Sequence, residues 1–164
     1  MKKIILLILS ITLCSSVFSS CSRKSFDAEV SCQELANSLK KEISVPEGEF
    51  EEYNLDELRF LFSSTDLYDD ICIIYSTDST DVCELGVIHS STEENAKRLY
   101  EEARGYIKSM QEEKSEFLRN YSPNELGKLN SADARRYGEY IIFTVADQSD
   151  RDTVLKEAEA LLSK

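Results

Sequence analysis

The strongest constraint on the fold is a pattern that occurs twice: two short β-branched, apolar segments followed by an amphipathic helix with a capping sequence at its start. The first pair of segments is 71–75 and 82–88, and the second pair is 132–137 and 139–146, joined at Gly138. Strands separated by short turn-forming stretches pair as hairpins. The two hairpins would share one sheet, with each helix packing its apolar stripe on a face of that sheet. The pattern therefore predicts an α+β fold in which an antiparallel sheet of about four strands packs against helices.

Two further helices are predicted before the first hairpin, which gives the order α, short α, ββα, ββα. Ser31 and Glu34 form a capping box, and the apolar residues that follow continue the first helix up to Pro46. Asn54 caps a short second helix. The segment 48–53, which contains three acidic residues, is predicted as a loop.

The helices that follow the hairpins are predicted from their own caps. Ser91 and Glu94 open a long helix that continues to Phe117 or Tyr121. At about 1.5 Å per residue such a helix is roughly 40 Å long, enough to cross a whole sheet. A short turn at 125–129 precedes the second hairpin, and Ser149 with Asp152 opens the last helix.

The first 20 residues have the pattern of a secretory signal peptide. Lys2 and Lys3 precede an apolar run at 4–13, and small residues follow it. The run is shorter than the roughly 20 residues that cross a bilayer, so a signal peptide is favoured over a permanent transmembrane helix. The protein is therefore predicted to be extracytoplasmic.

Residues 18–21, Phe-Ser-Ser-Cys, resemble the bacterial lipobox, whose cysteine receives a diacylglycerol and becomes the new N-terminus. Cys21 is therefore the predicted lipidation site, followed by a polar tether at 21–30 and a single domain at 31–164. Two acyl chains on one cysteine suffice to hold a protein on the membrane. Ordinary signal-peptidase cleavage near Ser20 is the alternative and would give a freely secreted protein.

Composition excludes several classes of function. The chain has 31 acidic residues against 19 lysines and arginines and a formal net charge of -12 at pH 7, so nucleic acid is not an expected partner. Nucleotide-binding glycine motifs and the HExxH zinc motif are absent from the sequence. We predict no cofactor and no resident metal.

Catalysis has few candidate residues. His89 is the only histidine, and it follows a strand, where a solvated side chain without partners is expected. Acidic residues at 66–70 and 147–152 could hold calcium weakly, although helix capping explains the second group equally well. We therefore predict a non-catalytic binding module at the cell envelope, with an envelope enzyme or a small-ligand or calcium-binding lipoprotein as the alternative.

One sequence window concentrates the scarce basic residues and has two tyrosines beside them. Tyrosine and arginine are enriched at contact hot spots, so this basic window is a speculative interaction site for an envelope protein, a peptide or an anionic polymer. Pairing of these bases with neighbouring carboxylates is the alternative. The six residues are Arg119, Tyr121, Lys128, Arg135, Arg136 and Tyr137.

The domain has three cysteines, an odd number without metal-binding spacing. Cys72 and Cys83 lie in neighbouring predicted strands, where a disulfide is conceivable. Small apolar thiols are common in protein cores, so buried free cysteines are preferred.

Four short motifs, together with the lipobox cysteine and the tether, resemble the domain-of-unknown-function family 4358 (DUF4358), small uncharacterised lipoproteins of clostridial bacteria. The motifs are Glu84–Ile88, Glu94-Asn95-Ala96, Tyr121-Ser122-Pro123 and Gly138–Phe143. The resemblance extends from about Val30 to the end of the chain. It implies a membrane location but no catalytic or binding residue, because the family has no established activity.

Replacing Cys21 with serine is expected to release the protein from the membrane fraction, because the tether has no other attachment site. Metabolic labelling with a palmitate analogue should mark the wild type and leave Cys21→Ser unlabelled. Cys14→Ser is the matched control, since Leu13 occupies the position where a lipobox needs a small residue. Equal membrane retention of Cys21→Ser and wild type would contradict the lipoprotein prediction.

Overall fold

The computed structural model describes residues 25–26, 29–44 and 49–163, which form five α-helices and five β-strands. The predicted signal peptide, Cys21 and the helix end predicted at Pro46 lie outside the described residues. The helices are α1 (Cys32–Leu39), α2 (Leu55–Leu61), α3 (Glu93–Tyr121), α4 (Pro123–Ser131) and α5 (Gln148–Leu162). The strands are β1 (Phe50–Glu52), β2 (Asp70–Ser76), β3 (Glu84–His89), β4 (Asp133–Tyr137) and β5 (Tyr140–Val145).

The strands form one antiparallel sheet in the order β1-β2-β3-β5-β4. Both predicted hairpins, β2–β3 and β4–β5, are confirmed, and they meet through their second strands, with Gly86 opposite Phe143. The predicted α+β class is also confirmed. The predicted acidic loop at 48–53 is wrong in part, because Phe50–Glu52 pairs with β2 as a fifth, edge strand. Its three residues are too few and too polar to show strand periodicity in the sequence.

Helices cover both faces of the sheet. Helices α1 and α5 pack on the face that carries Leu85 and Ile142, whereas α2 and α3 pack on the face that carries Ile73 and Phe143. All six residues of β5 are buried, which is why its sequence is continuously apolar apart from one threonine. The two central strands, β3 and β5, are therefore enclosed between helical layers.

The contact between Gly86 and Phe143 holds the two hairpins in close register. A Cβ atom built on Gly86 would lie 1.9 Å from Cε1 of Phe143, so the aromatic ring occupies the space that any side chain at position 86 would need. The rings of Phe62 and Tyr106 pack against Phe143, with centroid distances of 5.9 Å and 5.6 Å. The ring is therefore held from the helical side as well.

Several helix ends differ from the predictions. Helix α1 ends at Leu39 and continues as a 3-10 turn over Lys40–Glu42. The cap of α3 is Thr92 rather than Ser91, because the Thr92 Oγ1 accepts a hydrogen bond from the amide of Asn95 at 3.2 Å. The predicted short turn at 125–129 is a helix of nine residues, α4, and α5 begins three residues after Val145 rather than after Ser149.

The N-terminal segment joins the sheet at the β4–β5 turn. Tyr140 Oη donates a hydrogen bond to the Val30 carbonyl at 2.7 Å and accepts one from the Val30 amide at 3.1 Å. Phe26 packs edge-on against Tyr137, 5.5 Å between centroids, and lies beside Gly138, whose φ of 61° places it in the left-handed region. Part of the predicted tether therefore packs on the domain.

The long helix α3 starts at this same end of the sheet and extends past the other end. It follows β3 closely and runs for 29 residues, or about 43 Å, whereas the six residues of β3 span about 20 Å. Its C-terminal part packs on α4 through Leu118 and Leu129. Among the described residues, α3 and the other helices are all too short or too polar to cross a membrane.

We expect Gly86→Ala to lower the free energy of unfolding by about 1–3 kcal/mol, because the new methyl group would overlap the ring of Phe143. Gly105→Ala is the matched control and should raise the free energy of unfolding by about 1 kcal/mol. Its Cβ would meet no atom within 4 Å, and alanine favours a helix interior. Urea denaturation measures both changes, and equal stabilities for the two variants would contradict the predicted close packing.

Candidate functional site

A groove of about 720 Å³ lies between α2 and α3, with the residue after β1 at one side. Apolar side chains line much of it, and Phe60 is 94% exposed at its rim. Acidic and basic groups border the remainder. The lining residues used below are Tyr53, Phe60, Leu61, Tyr106, Met110 and Lys114.

The short helix α2 is fixed so that Phe60 points outward. Asn54 and Glu57 form a complete capping box at its start. Leu58 and Phe62, four residues apart and therefore on one helical face, are both buried in the core. Phe60 lies between them in sequence and about 200° around the helix from Leu58, so it faces solvent.

Behind the groove, the sheet carries a buried carboxylate. Glu84 is the first residue of β3 and is only 3% exposed. Tyr106 Oη donates a hydrogen bond to its Oε2 at 3.0 Å. Within the described part of the chain, Oε1 of Glu84 has no hydrogen-bond partner. A buried acid that lacks full hydrogen bonding is costly in its ionised form.

Burial raises the pKa of Glu84 from 4.5 to about 7, although Tyr106, Lys114 and Tyr53 oppose this increase. The same burial, together with the nearby carboxylate, raises the pKa of Tyr106. The rings of Tyr53 and Tyr106 line the groove, so the tyrosines separate the carboxylate from solvent. In the sequence, Glu84 stands out only as part of the family motif Glu84–Ile88. The available signal was an acidic residue flanked directly by Cys83 and Leu85 in an otherwise apolar strand.

A second cluster surrounds His89 at the end of the sheet where the N-terminal segment joins. His89 Nδ1 lies 2.7 Å from Asp69 Oδ1, and its Nε2 lies 3.9 Å from Glu139 Oε2. The imidazole also packs on the ring of Tyr140, 4.4 Å between centroids, and its side chain is 25% exposed. The prediction of a solvated histidine without partners is therefore wrong.

Two serine hydroxyl groups beside this cluster, those of Ser90 and Ser31, are engaged elsewhere. Ser90 Oγ is buried and donates to the Leu67 carbonyl at 2.7 Å. Ser31 Oγ caps α1 by accepting from the amide of Glu34 at 3.2 Å. The His89 cluster thus joins three segments through the contacts of the imidazole with Asp69 and Glu139, and neither serine hydroxyl is positioned by it as a nucleophile.

The structure separates the residues of the basic window. Lys128 is buried, with Nζ 2.9 Å from Asp81 and 3.1 Å from Glu125, and these carboxylates raise its pKa against the effect of burial. Tyr137 is also buried, and its hydroxyl donates to the Leu155 carbonyl at 2.6 Å. Neither residue is available to a partner at the surface.

The other four members of the window lie at different places. Arg135 and Arg136 are consecutive in the edge strand β4 and therefore point to opposite faces of the sheet. Arg135 is exposed beside Asp133, and Arg136 donates to the Gly138 carbonyl at 2.7 Å. Arg119 and Tyr121 lie at the far end of α3, where Tyr121 is 74% exposed. The six residues do not form one continuous patch, and binding by the exposed members stays a prediction.

The match to a known family covers the strands and the groove. A family model described as Domain of unknown function (DUF4358) matches residues 48–146. The chain belongs to this family. The DUF4358 region contains all five strands, α2, α3 and α4, and therefore Glu84 and every named residue of the groove. Among curated proteins and among solved structures, no match to the chain was found.

Cys32, Cys72 and Cys83 are buried free thiols, as the sequence analysis preferred. Cys72 and Cys83 are far apart because Ser76, four residues along β2 from Cys72, bonds to Cys83. Four strand residues span about 13 Å, whereas a disulfide needs Cα atoms about 4.4–6.8 Å apart. Burial raises the pKa of Cys72 and of Cys83 to about 12 each.

The acidic segments 66–70 and 147–152, which were the alternative calcium sites, each place a carboxylate on a backbone amide. Asp70 accepts from the amide of Cys32 at 2.7 Å, and Asp150 accepts from the amide of Ser44 at 2.8 Å. Within the residues that the structure covers, no cluster of three or more acidic, histidine or cysteine side chains is arranged to hold a metal.

The stability of the protein should fall as pH rises from about 5 to 8, in part because of Glu84. Its pKa is about 7 when folded and near 4.5 when unfolded, so in this interval the folded state retains a proton that the unfolded state has released. Glu84→Gln removes this linkage. The free energy of unfolding of Glu84→Gln minus that of the wild type should therefore increase by about 2–3 kcal/mol between pH 5 and pH 8.

Urea titrations at several pH values measure this difference. Glu112→Gln on the exposed side of α3 is the control and should show no comparable change, because the Glu112 side chain is 67% exposed. A constant difference between Glu84→Gln and wild type across this range would contradict the assignment of Glu84 as a buried, partly protonated acid.

Proposed function

We propose that this protein is a membrane-anchored, extracytoplasmic lipoprotein that binds an envelope partner, without catalysis, through the groove between α2 and α3. The observation that carries the proposal is the 94% exposure of Phe60 at the rim of a groove that Leu61, Tyr106 and Met110 also line. A single exposed apolar residue is ordinary on a protein surface. A large exposed aromatic residue next to further apolar surface in a concave site is typical of binding sites.

The proposed lipid anchor at Cys21 lies only a few residues before Phe26, which packs on the domain. Cys21 precedes Phe26, which packs beside Tyr137, by five positions, so the two residues can be at most about 18 Å apart. A lipid on Cys21 would hold the β4–β5 turn close to the membrane. Because α3 starts near this turn, the middle of the helix and the groove beside it would lie farther from the membrane surface.

A catalytic alternative draws on the contact between Asp69 and His89, because a carboxylate that orients a histidine is also found in hydrolases. That mechanism needs a nucleophile within reach of the imidazole. The hydroxyl groups of Ser31 and Ser90 instead bond to the backbone. Binding through the groove therefore has the stronger support.

A photo-cross-linking amino acid at position 60 tests the proposed function in membranes of cells that produce the protein. We expect a discrete adduct from position 60 and none from position 55, because Leu55 is 70% exposed on the same helix but lies outside this groove. A second cross-linker at position 109 in the groove should give an adduct of the same mass, and Phe60→Ser should reduce its yield several-fold. Equal labelling from positions 55 and 60 would contradict a binding site in the groove.

A further inference from the structure

The buried carboxylate of Glu84 has no ion-pair partner among the residues that the structure describes. In the described part of the chain, three buried side-chain atoms have no hydrogen-bond partner: Oδ2 of Asp81, Oε1 of Glu84 and Oγ1 of Thr144. Asp81 already pairs with Lys128 through its other oxygen. Glu84 is different, since the hydroxyl groups that favour its ionised form, those of Tyr106 and Tyr53, are neutral, and no ion pair to it is found among the described residues. A positive group could therefore stabilise it strongly.

The groove borders the two tyrosines that cover Glu84. Tyr106 bonds to Glu84 through its hydroxyl and lines the groove with its ring, and Tyr53 lines the groove beside it. Tyrosine rings attract ammonium and guanidinium groups through their faces, and their hydroxyls can accept or donate hydrogen bonds. Lys114, at the wall of the groove, already favours the ionised form of Glu84 without forming an ion pair with it.

The rim of the groove defines the rest of the ligand. Phe60, Leu61 and Met110 offer apolar surface around the tyrosines, so a bare inorganic cation would leave this surface uncovered. The net charge of -12 attracts basic partners over longer distances. An apolar peptide segment would cover Phe60, Leu61 and Met110, and a positive side chain within it would complement Glu84 and the two tyrosines.

We propose that the groove between α2 and α3 binds an apolar segment of a partner protein that carries a lysine or arginine, whose charge lies against the rings of Tyr53 and Tyr106 and is attracted by Glu84 behind them. This inference rests on the proposed function, because it names the chemistry of the partner at the same site. The groups facing Glu84 are Tyr106 and Lys114 from α3 and Tyr53 from the segment between β1 and α2. When Glu84 is protonated, arrival of the positive group releases its proton to solvent.

The test uses the full chain in lipid nanodiscs and two fluorescent peptides that are identical except at one position. Both peptides have a leucine-rich sequence, with a central lysine in one and a central norleucine in the other. Norleucine keeps the hydrocarbon chain of lysine and lacks its charge. We expect at least ten-fold tighter binding of the lysine peptide at pH 8 by fluorescence anisotropy, with empty nanodiscs as the blank.

Three variants separate the contribution of the Glu84 charge from that of the apolar surface. Glu84→Gln should abolish the preference for lysine, whereas Glu112→Gln, which removes an exposed acid from α3, should keep it. Phe60→Ser should weaken the binding of both peptides to a similar extent, because it removes apolar surface only. Far-UV circular dichroism and thermal melts establish that each variant is folded.

A second measurement needs no substitution. In the wild type, the preference for the lysine peptide should decrease several-fold from pH 8 to pH 6, because protonated Glu84 must then lose its proton on binding. Equal affinities of the wild type for the two peptides, or an unchanged lysine preference in folded Glu84→Gln, would overturn the inference. Full displacement of the lysine peptide by free butylamine at equal concentration would overturn the requirement for an apolar segment.

The cross-linking experiment keeps this inference distinct from the proposed function. A discrete adduct at position 60 without any lysine preference would overturn recognition by Glu84 and leave the binding function standing. Absence of an adduct at position 60 would count against the proposed function whichever peptide binds.

Discussion

The pairing of β3 with β5 is the interaction on which the rest of the structure depends. It joins two hairpins, each of which could form locally, into one sheet, and it places Phe143 directly over Gly86. Both strands are then apolar on their two faces, which requires helices on each side. Helices α1 and α5 cover one face, and α2 and α3 cover the other.

The same arrangement explains why an acidic residue lies in the core. Glu84 alternates with Leu85 along β3, so its side chain must point to the face that α3 covers. Tyr106 supplies one hydrogen bond, and the remaining carboxylate oxygen lies behind the groove without a partner among the described residues. When Glu84 is ionised, it lowers the free energy of unfolding of the protein. Residues that lower stability in this way are common at functional sites.

The two ends of the sheet have different chemistry. At one end, the N-terminal segment, the β4–β5 turn and the His89 cluster meet. Tyr140 bonds to Val30 and packs on His89, which contacts Asp69. At the other end, α3 continues past the sheet onto α4, and the ion pairs of Lys128 close the gap between α4 and the loop before β3. The groove lies along the middle of α3, between these regions, where Phe60 is left exposed.

Local chemistry in the sequence predicted both hairpins, the cap of α1 at Ser31, the cap of α2 and the long helix α3. Each depends on residues a few positions apart, whose turn propensity, alternation or helical spacing can be read directly. The sequence also showed a family resemblance that the match over residues 48–146 confirms. It missed β1, because three edge-strand residues pair only when β2 is already in place.

The tertiary structure alone decided which charged residues are buried and what they contact. Lys128 looked like part of a basic window, yet it pairs with Asp81, 47 residues away. His89 looked isolated, yet Asp69, 20 residues earlier, contacts it. Glu84 looked like one acid among 31. The register between distant strands and the packing of α3 set these contacts, and neither can be derived from spacing along the chain.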